Sequence, residues 1–222
     1  MKLVAVIPAY NEEKNIGQVI RGVKKYARNI IVIDDGSTDR TEQIALENGA
    51  KVYCHLINRG LGGALATGIK AALLEEADIV LTLDADGQHD PDEIPKIVKP
   101  IIEDKADFVI GSRFLQHQPV PLFRRLGNYF FNFITFFLFG IWSTDSQSGM
   151  RAFNKKAAEN LEIYTNKMEV SSEILNEIQV RHLRLKEVPI KSIYTSYSLS
   201  KGQGFIPGLK TLIKLFILKL TK

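Results

Sequence analysis

The chain has 222 residues, 45% of them hydrophobic and 24% charged, with a net charge of +4. This is ordinary globular composition, long enough for a sizeable core, and it excludes a disordered or disulfide-stapled chain. The single cysteine, Cys54, admits no intramolecular disulfide and fits a reducing compartment, and the first residues lack the charged and long apolar regions of a signal peptide.

In chain order, Leu3-Val4-Ala5-Val6-Ile7 is a continuous apolar run closed by Pro8, the pattern of a strand buried on both faces. A helix follows from about Asn15 to Tyr26, with Ile16, Val19, Ile20 and Val23 at helical spacing. Ile30–Ile33 reads as the second strand, ending in Asp34-Asp35-Gly36-Ser37-Thr38. Ser37 or Thr38 is placed to cap the helix that runs to about Asn48. Lys51–Cys54 is a short third strand. The loop Asn58-Arg59-Gly60-Leu61-Gly62-Gly63 then opens a helix from Ala64 to about Glu76, whose first backbone amides are placed to meet a phosphate. It matches neither the dinucleotide-binding nor the P-loop signature, since Leu65 and Ile69-Lys70 stand where those require Gly and Lys-Ser/Thr.

Ile79 to Leu83 is the next apolar strand, and it ends in Asp84-Ala85-Asp86-Gly87-Gln88-His89. Ligands of a parallel α/β sheet sit beyond the carboxyl ends of its strands, which is where Asp84 and Asp86 fall. Two hard oxygen ligands, with the amide of Gln88 close by, suit Mg2+ or Mn2+, which in turn holds a diphosphate. An EF-hand is excluded, because its sixth and twelfth positions would be His89 and Pro95. His89 and His117 read as surface residues. After Asp90-Pro91 a helix is expected, interrupted by Pro95 and ended near Pro100. Asp107–Ile110 is another strand, leading into Gly111-Ser112-Arg113.

From Leu126 to Thr144 there is no charge and there are six phenylalanines. Asn128, Asn132 and Thr135 share one helical face, so the stretch reads as an interfacial helix, or a pair of short helices at a bilayer surface, against a buried core helix. Further on, helices are expected near Lys155–Glu162 and Met168–Val180, then a strand over Leu185–Ile190 placed at an edge by Pro189. The tail from Phe205 to Leu220 is apolar with interspersed lysines, fitting a peripheral membrane helix or one packed on its own domain or a partner. Strands and helices alternate with short connections, which predicts a right-handed, mainly parallel α/β sheet. No nucleic-acid motif accompanies the basic residues of the second half.

Several separate stretches then fall in an order that resembles family 2 glycosyltransferases. They are Pro8-Ala9-Tyr10-Asn11-Glu12, Asp34-Asp35-Gly36-Ser37, Asn58-x-Gly60, Asp84-Ala85-Asp86, Gly111-Ser112-Arg113 and Ser148-Gly149-x-Arg151-Ala152-Phe153. More narrowly the chain resembles the polyprenyl-phosphate (dolichyl-phosphate) mannosyl- and glucosyltransferases over about residues 1 to 201. The resemblance implies an α/β GT-A (nucleotide-diphospho-sugar transferase) fold, with a mainly parallel central sheet flanked by helices and with membrane-surface helices. Residues 1–201 would be the catalytic domain, 115–144 its apolar membrane-interface and acceptor segment, and 202–222 an amphipathic tail.

Carried over by position, Pro8, Tyr10, Asn11 and Glu12 would enclose the nucleotide, Asp35 would meet the base or ribose, and Lys201 would lie over the donor diphosphate. Asp84, Asp86 and Gln88 match the metal-binding positions, for Mg2+ or Mn2+. Arg113, Arg124 and Arg125 match positions near the acceptor phosphate, with Asp86, Arg113 and Arg125 the candidate catalytic groups. The implied activity is inverting, metal-dependent transfer of a hexose from GDP-mannose, UDP-glucose or UDP-N-acetylglucosamine to a polyprenyl phosphate. It implies a peripheral location on the cytoplasmic face of a membrane, beside a possible membrane-embedded partner. A lipid phosphate, with a second pKa near ~6, is mostly dianionic at neutral pH and needs no general base. It needs cations to bring two anions together, which suits the arginines. Two alternatives stand beside this reading. With a sugar hydroxyl as acceptor, Glu169 or Asp145 would serve as the base. A non-catalytic nucleotide-sugar-binding scaffold would not require the intact pair Asp84 and Asp86.

Overall fold

The computed structural model describes residues 1–116, 122–193, 214–216 and 219, with the side chains of 123 and 124 excepted. Its frame, among these residues, is a seven-stranded sheet built from β1 (Leu3–Ala9), β2 (Asn29–Asp34), β3 (Lys51–Cys54), β4 (Ile79–Thr82), β5 (Phe108–Ser112), β6 (Arg151–Asn154) and β7 (Leu185–Pro189). The order is β3-β2-β1-β4-β6-β5-β7. β1 runs parallel to β2 and β4, β3 parallel to β2, and β7 parallel to β5, while β6 is antiparallel to both its neighbours. β1, β2 and β4 carry continuous apolar runs because helices cover both of their faces, whereas the edge strand β3 is only partly buried. Pro189 ends the edge strand β7, where a missing N–H costs no ladder bond.

Helices α1 (Ile16–Val23), α2 (Thr41–Glu47) and α4 (Ile94–Ile102) belong to one face of the sheet. Helices α3 (Leu61–Leu74), α5 (Leu122–Phe139), α6 (Lys155–Asn160) and α7 (Val170–Val180) belong to the other, so the sheet separates two apolar cores. Leu215 is fully buried in the second core and Lys214 pairs with the buried Glu169 at 2.6 Å. These two tail residues therefore pack on their own domain; the rest of 202–222, apart from 216 and 219, lies outside the described residues.

Local expectations needed correction at several ends. α2 starts at Thr41, not after Ser37 or Thr38. Ser37 instead accepts from the Asn11 N–H at 2.9 Å and donates its own N–H to Asp34 at 2.7 Å, which turns the chain once more before the helix. Pro95 does not interrupt α4, because it sits in the first turn, where its absent N–H has no helical partner to lose. The aromatic stretch is one continuous helix, not a pair: α5 stops where Gly140 takes φ +72° and gives its N–H to Phe136 O at 2.8 Å. No helix among the described residues is long and apolar enough to cross a membrane.

The close seat of α3 on the sheet is set by Gly68. A Cβ there would fall 2.2 Å from Val6 Cγ1 and 3.1 Å from Ile33 Cγ1. In an open helix Gly→Ala stabilises by roughly 0.5–1 kcal/mol. Overpacking a filled core costs roughly 1–3 kcal/mol, so the clash should win here. Gly68→Ala is expected to lower the urea midpoint by the equivalent of about 1–2 kcal/mol; an unchanged or raised midpoint would mean that α3 simply shifts outward.

Candidate functional site

The strand order reverses between β1 and β4: the chain winds outward from β1 to β2 and β3, then returns to the other side of β1 for β4. A crevice opens beyond the carboxyl ends of strands at such a point. Here it is a cleft of about 200 Å³ lined by Pro8, Tyr10, Glu12, Asp35, Asp84 and Asp86, with Ala9, Leu61, Ala64 and Ala85 between them. Six residues singled out in the sequence thus converge on one cavity.

Asp84 and Asp86 stand directly after β4, the central strand. His89 Nε2 lies 3.0 Å from Asp84 Oδ2 and so fixes its carboxylate from one side. Gly149 closes the other: a Cβ there would meet both carboxylate oxygens at 2.3 Å. Burial works to raise the pKa of Asp84, but the His89 hydrogen bond and the charges of His89, Arg151 and Arg113 outweigh it and hold it below the usual value. Asp86 is pushed the other way, by burial and by the negative charge of Asp84. Its oxygens accept from the Gln88 backbone N–H at 2.9 Å and from the Gln88 side-chain amide.

Two crowded carboxylates, with no group of three or more His, Cys, Asp or Glu among the described residues arranged to hold an ion by themselves, fit a hard divalent cation that completes its shell with phosphate and water. The chemistry of the donor set therefore suits Mg2+ or Mn2+. His89, expected at the surface, is 4% exposed. It is drawn inward by Asp84 and by its own backbone, which bridges to Ser192, and no other polar group among the described residues reaches its Nδ1. His117 lies outside the described residues.

Other expected binding residues hold the walls. Asn11, at φ +54°, accepts the Thr38 N–H at 2.9 Å and is not part of the cleft lining. Glu12 lines the cleft while its N–H donates to Thr41 Oγ1 at 2.8 Å. Asp35 accepts from the N–H groups of Arg59 and Gly60 at 2.9 and 2.7 Å and meets His55 Nδ1 at 2.7 Å, so its carboxylate shapes the loop after β3. The first amides of α3 do not await a phosphate: Gly62 and Gly63 donate to Asn166 O, and the backbone of Thr165 and Asn166 packs where a Gly62 side chain would be.

Arg113 donates to Asp145 through Nε and Nη2, both at 2.7 Å, and through its backbone N–H at 3.0 Å. Asp145 is fully buried in this fork, and Glu169 is buried against Lys214. Both carboxylates named as bases for a sugar hydroxyl are thus held in ion pairs, through contacts distant in sequence. Arg113 lies over the Phe114 ring, Phe114 meets Tyr129, and Tyr129 meets Arg125, so Arg113 and Arg125 share one aromatic patch. The Arg124 side chain and Lys201 lie outside what the structure describes. Arg151 is buried beneath the site and donates to Ser146 O and Ser171 Oγ; burial lowers its pKa to about 10 against the pull of Asp84 and Asp145. Sequence reasoning missed Leu61 and Ala64 in the lining and the roles of His89 and Gly149 beside Asp84.

Comparison with known proteins adds four findings. Residues 4–162 match the family described as glycosyl transferase family 2. An uncharacterized protein of Methanocaldococcus jannaschii is 47% identical over 225 residues, covering 99% of this chain and 93% of its own. A UDP-N-acetylglucosamine–dolichyl-phosphate N-acetylglucosaminyltransferase of Methanococcus voltae is 42% identical over 240 residues, covering 98% and 96%. Among solved structures, glucosyl-3-phosphoglycerate synthase from Mycobacterium tuberculosis, crystallised with Mn2+, uridine diphosphate and phosphoglyceric acid, aligns with a TM-score of 0.76. At 20% identity, over 99% of this chain and 77% of that one, it shares the GT-A-like fold.

Partners that orient a metal ligand typically contribute 10–100-fold to metal affinity. His89→Ala is therefore expected to raise the Kd for Mn2+, read from the free Mn2+ electron paramagnetic resonance signal, by about tenfold or more. An unchanged Kd would mean that Gly149 and the turn suffice to place Asp84.

Proposed function

The chain belongs to glycosyl transferase family 2, and on that premise we propose that it transfers a sugar from a nucleoside diphosphate to a polyprenyl phosphate. UDP-N-acetylglucosamine is the first donor to consider, because the Methanococcus voltae relative that matches over nearly its whole length is named for it. The observation that carries the acceptor class is the state of the charged groups around the cleft. The charge of Arg113 is felt at Asp84, while the two carboxylates available as bases, Asp145 and Glu169, are buried in ion pairs. That arrangement favours an acceptor that arrives already ionised.

In the proposed reaction a phosphate oxygen of the acceptor attacks the anomeric carbon of the sugar. The bond from that carbon to the diphosphate breaks with inversion, and the nucleoside diphosphate leaves with the electron pair. Asp84 and Asp86, with Gln88, would hold Mg2+ or Mn2+, which supplies Lewis-acid neutralisation of the leaving diphosphate. Pro8, Tyr10 and Glu12 would wall the nucleotide, with Asn11 and Asp35 bracing that wall, and Lys201 would add charge at the diphosphate. Arg113, Arg124 and Arg125 would lower the repulsion between two anions as they approach.

Membrane association is part of the same proposal. Helix α5 turns Asn128, Asn132 and Thr135 inward and leaves Leu126, Tyr129, Phe130, Phe133 and Phe137 exposed. An aromatic face beside Arg125 suits a peripheral position on an anionic lipid surface, which the notion of a lipid acceptor on the cytoplasmic face requires.

The direct test offers radiolabelled UDP-N-acetylglucosamine, UDP-glucose and GDP-mannose with a short polyprenyl phosphate, with Mg2+ or Mn2+ and with chelator. Label is expected to enter the organic phase only with metal, and Asp86→Ala should remove it. Nucleotide binding without any lipid product would point to a sugar acceptor. For the membrane, Phe133 and Phe137 are 58% and 70% exposed, so replacing both by serine should leave the melting temperature nearly unchanged. The pair should reduce cosedimentation with anionic vesicles severalfold; full retention would remove α5 as the docking face.

A further inference from the structure

Burying an amide side chain costs free energy unless both its ends are satisfied, and a leucine would fill the same volume without that cost. Helix α5 nevertheless buries Asn128 and Asn132, one helical turn apart, under an aromatic outer face. The bonds they make are directed at one short turn. Asn128 Nδ2 and Asn132 Nδ2 both donate to Thr144 O, at 2.9 and 2.8 Å. Asn132 Oδ1 also accepts the Ser146 N–H at 3.0 Å. A single side chain thus grips the backbone on either side of Asp145, as a neighbouring strand would.

The turn is fastened from the sheet as well. Glu187 on β7 accepts from Ser143 Oγ, Thr144 N–H and Thr144 Oγ1 at 2.6 to 2.9 Å, and Ser112 Oγ at the end of β5 lies 2.7 Å from Thr144 Oγ1. Between these anchors stands Asp145, whose carboxylate makes the two 2.7 Å bonds to the Arg113 guanidinium. Rotation or sliding of α5 would therefore move the group that aims Arg113.

We propose that Asn132 is a positioning residue for the acceptor: from α5 it holds residues 144 and 146, and through Asp145 it sets the direction of the Arg113 guanidinium. The inference rests on the reading that Arg113 meets an acceptor phosphate. It adds that the helix with the exposed aromatic face and the arginine are one mechanical unit.

The test compares wild type and Asn132→Ala on a detergent-dispersed short polyprenyl phosphate, with donor binding by calorimetry and donor hydrolysis by water measured alongside. The KM for the acceptor is expected to rise about ten- to a hundredfold, the cost of misplacing an orienting group by about an ångström. Donor Kd and the rate of donor hydrolysis are expected to stay at the wild-type values, which a general loss of structure would not allow. Asn128→Ala, which gives up one bond to the same carbonyl, should show a smaller rise and keeps the test decisive if Asn132→Ala does not fold. Wild-type transfer with an unchanged acceptor KM in the variants, or donor binding and hydrolysis falling in parallel, overturns the inference alone. A wild-type enzyme that transfers to no lipid phosphate overturns the acceptor reading and the inference with it.

Discussion

Asp84 and Asp86 project from the central strand of the sheet, two residues apart, into a partly buried cleft. Like charges so placed repel, and burial strips the water that would otherwise screen them. The surroundings are organised to hold them there. His89 bonds to Asp84, Gly149 leaves room for its oxygens, and the Gln88 amides hold Asp86. Beneath lie Arg151 and Arg113, whose positive charge lowers the pKa of Asp84. Arg151 in turn is anchored through Ser146 and Ser171, so the antiparallel strand β6 and helix α7 serve the same two carboxylates.

This arrangement has a consequence for the order of binding. Two protein carboxylates leave a six-coordinate cation short of ligands, and no group of three or more His, Cys, Asp or Glu among the described residues is arranged to close the shell. A cation held this way is completed by phosphate oxygens and water, so its affinity and that of a diphosphate donor rise together. On the proposed function the cleft would take a metal–diphosphate pair more readily than either alone, and its walls of Pro8, Tyr10 and Leu61 offer apolar surface to a nucleoside.

Local chemistry made the frame legible. Leu3–Ile7, Ile30–Ile33 and Ile79–Leu83 read as parallel strands because burial on both faces demands unbroken apolar runs, and Pro189 marked an edge because it lacks a donor. Asp84 and Asp86 were legible because a strand end, two carboxylates and a glycine lie within a few residues. What was not legible depends on contacts across the chain. Nothing near Asp145 announces Arg113, and nothing near Gly62 announces that Asn166 takes its N–H. His89 looked like a surface residue because a polar turn carries no local sign that one imidazole will fold inward onto Asp84. β6 is only four residues long and opens with a charge, so its antiparallel place between β4 and β5 comes from the sheet alone.

Helix α5 resolves the ambiguity of its own sequence in an unexpected sense. A helix at the surface of a globular protein normally buries its apolar stripe and wets its polar one. Here Asn128, Asn132 and Thr135 face the protein and Phe130, Phe133, Phe136 and Phe137 face outward, with the inward bonds serving the turn at Thr144 and the hydroxyl of Ser172. An outward face of this kind gains nothing from water and is stabilised by contact with an apolar phase. The inward face gains nothing from lipid, because the Asn128 and Asn132 N–H groups donate to Thr144 O and Asn132 Oδ1 accepts from Ser146. On the proposed function the two faces would place the helix at a boundary, with hydrocarbon on one side and the arginine proposed for the acceptor on the other. A lipid-linked phosphate, the acceptor proposed above, has two ends that match those two sides.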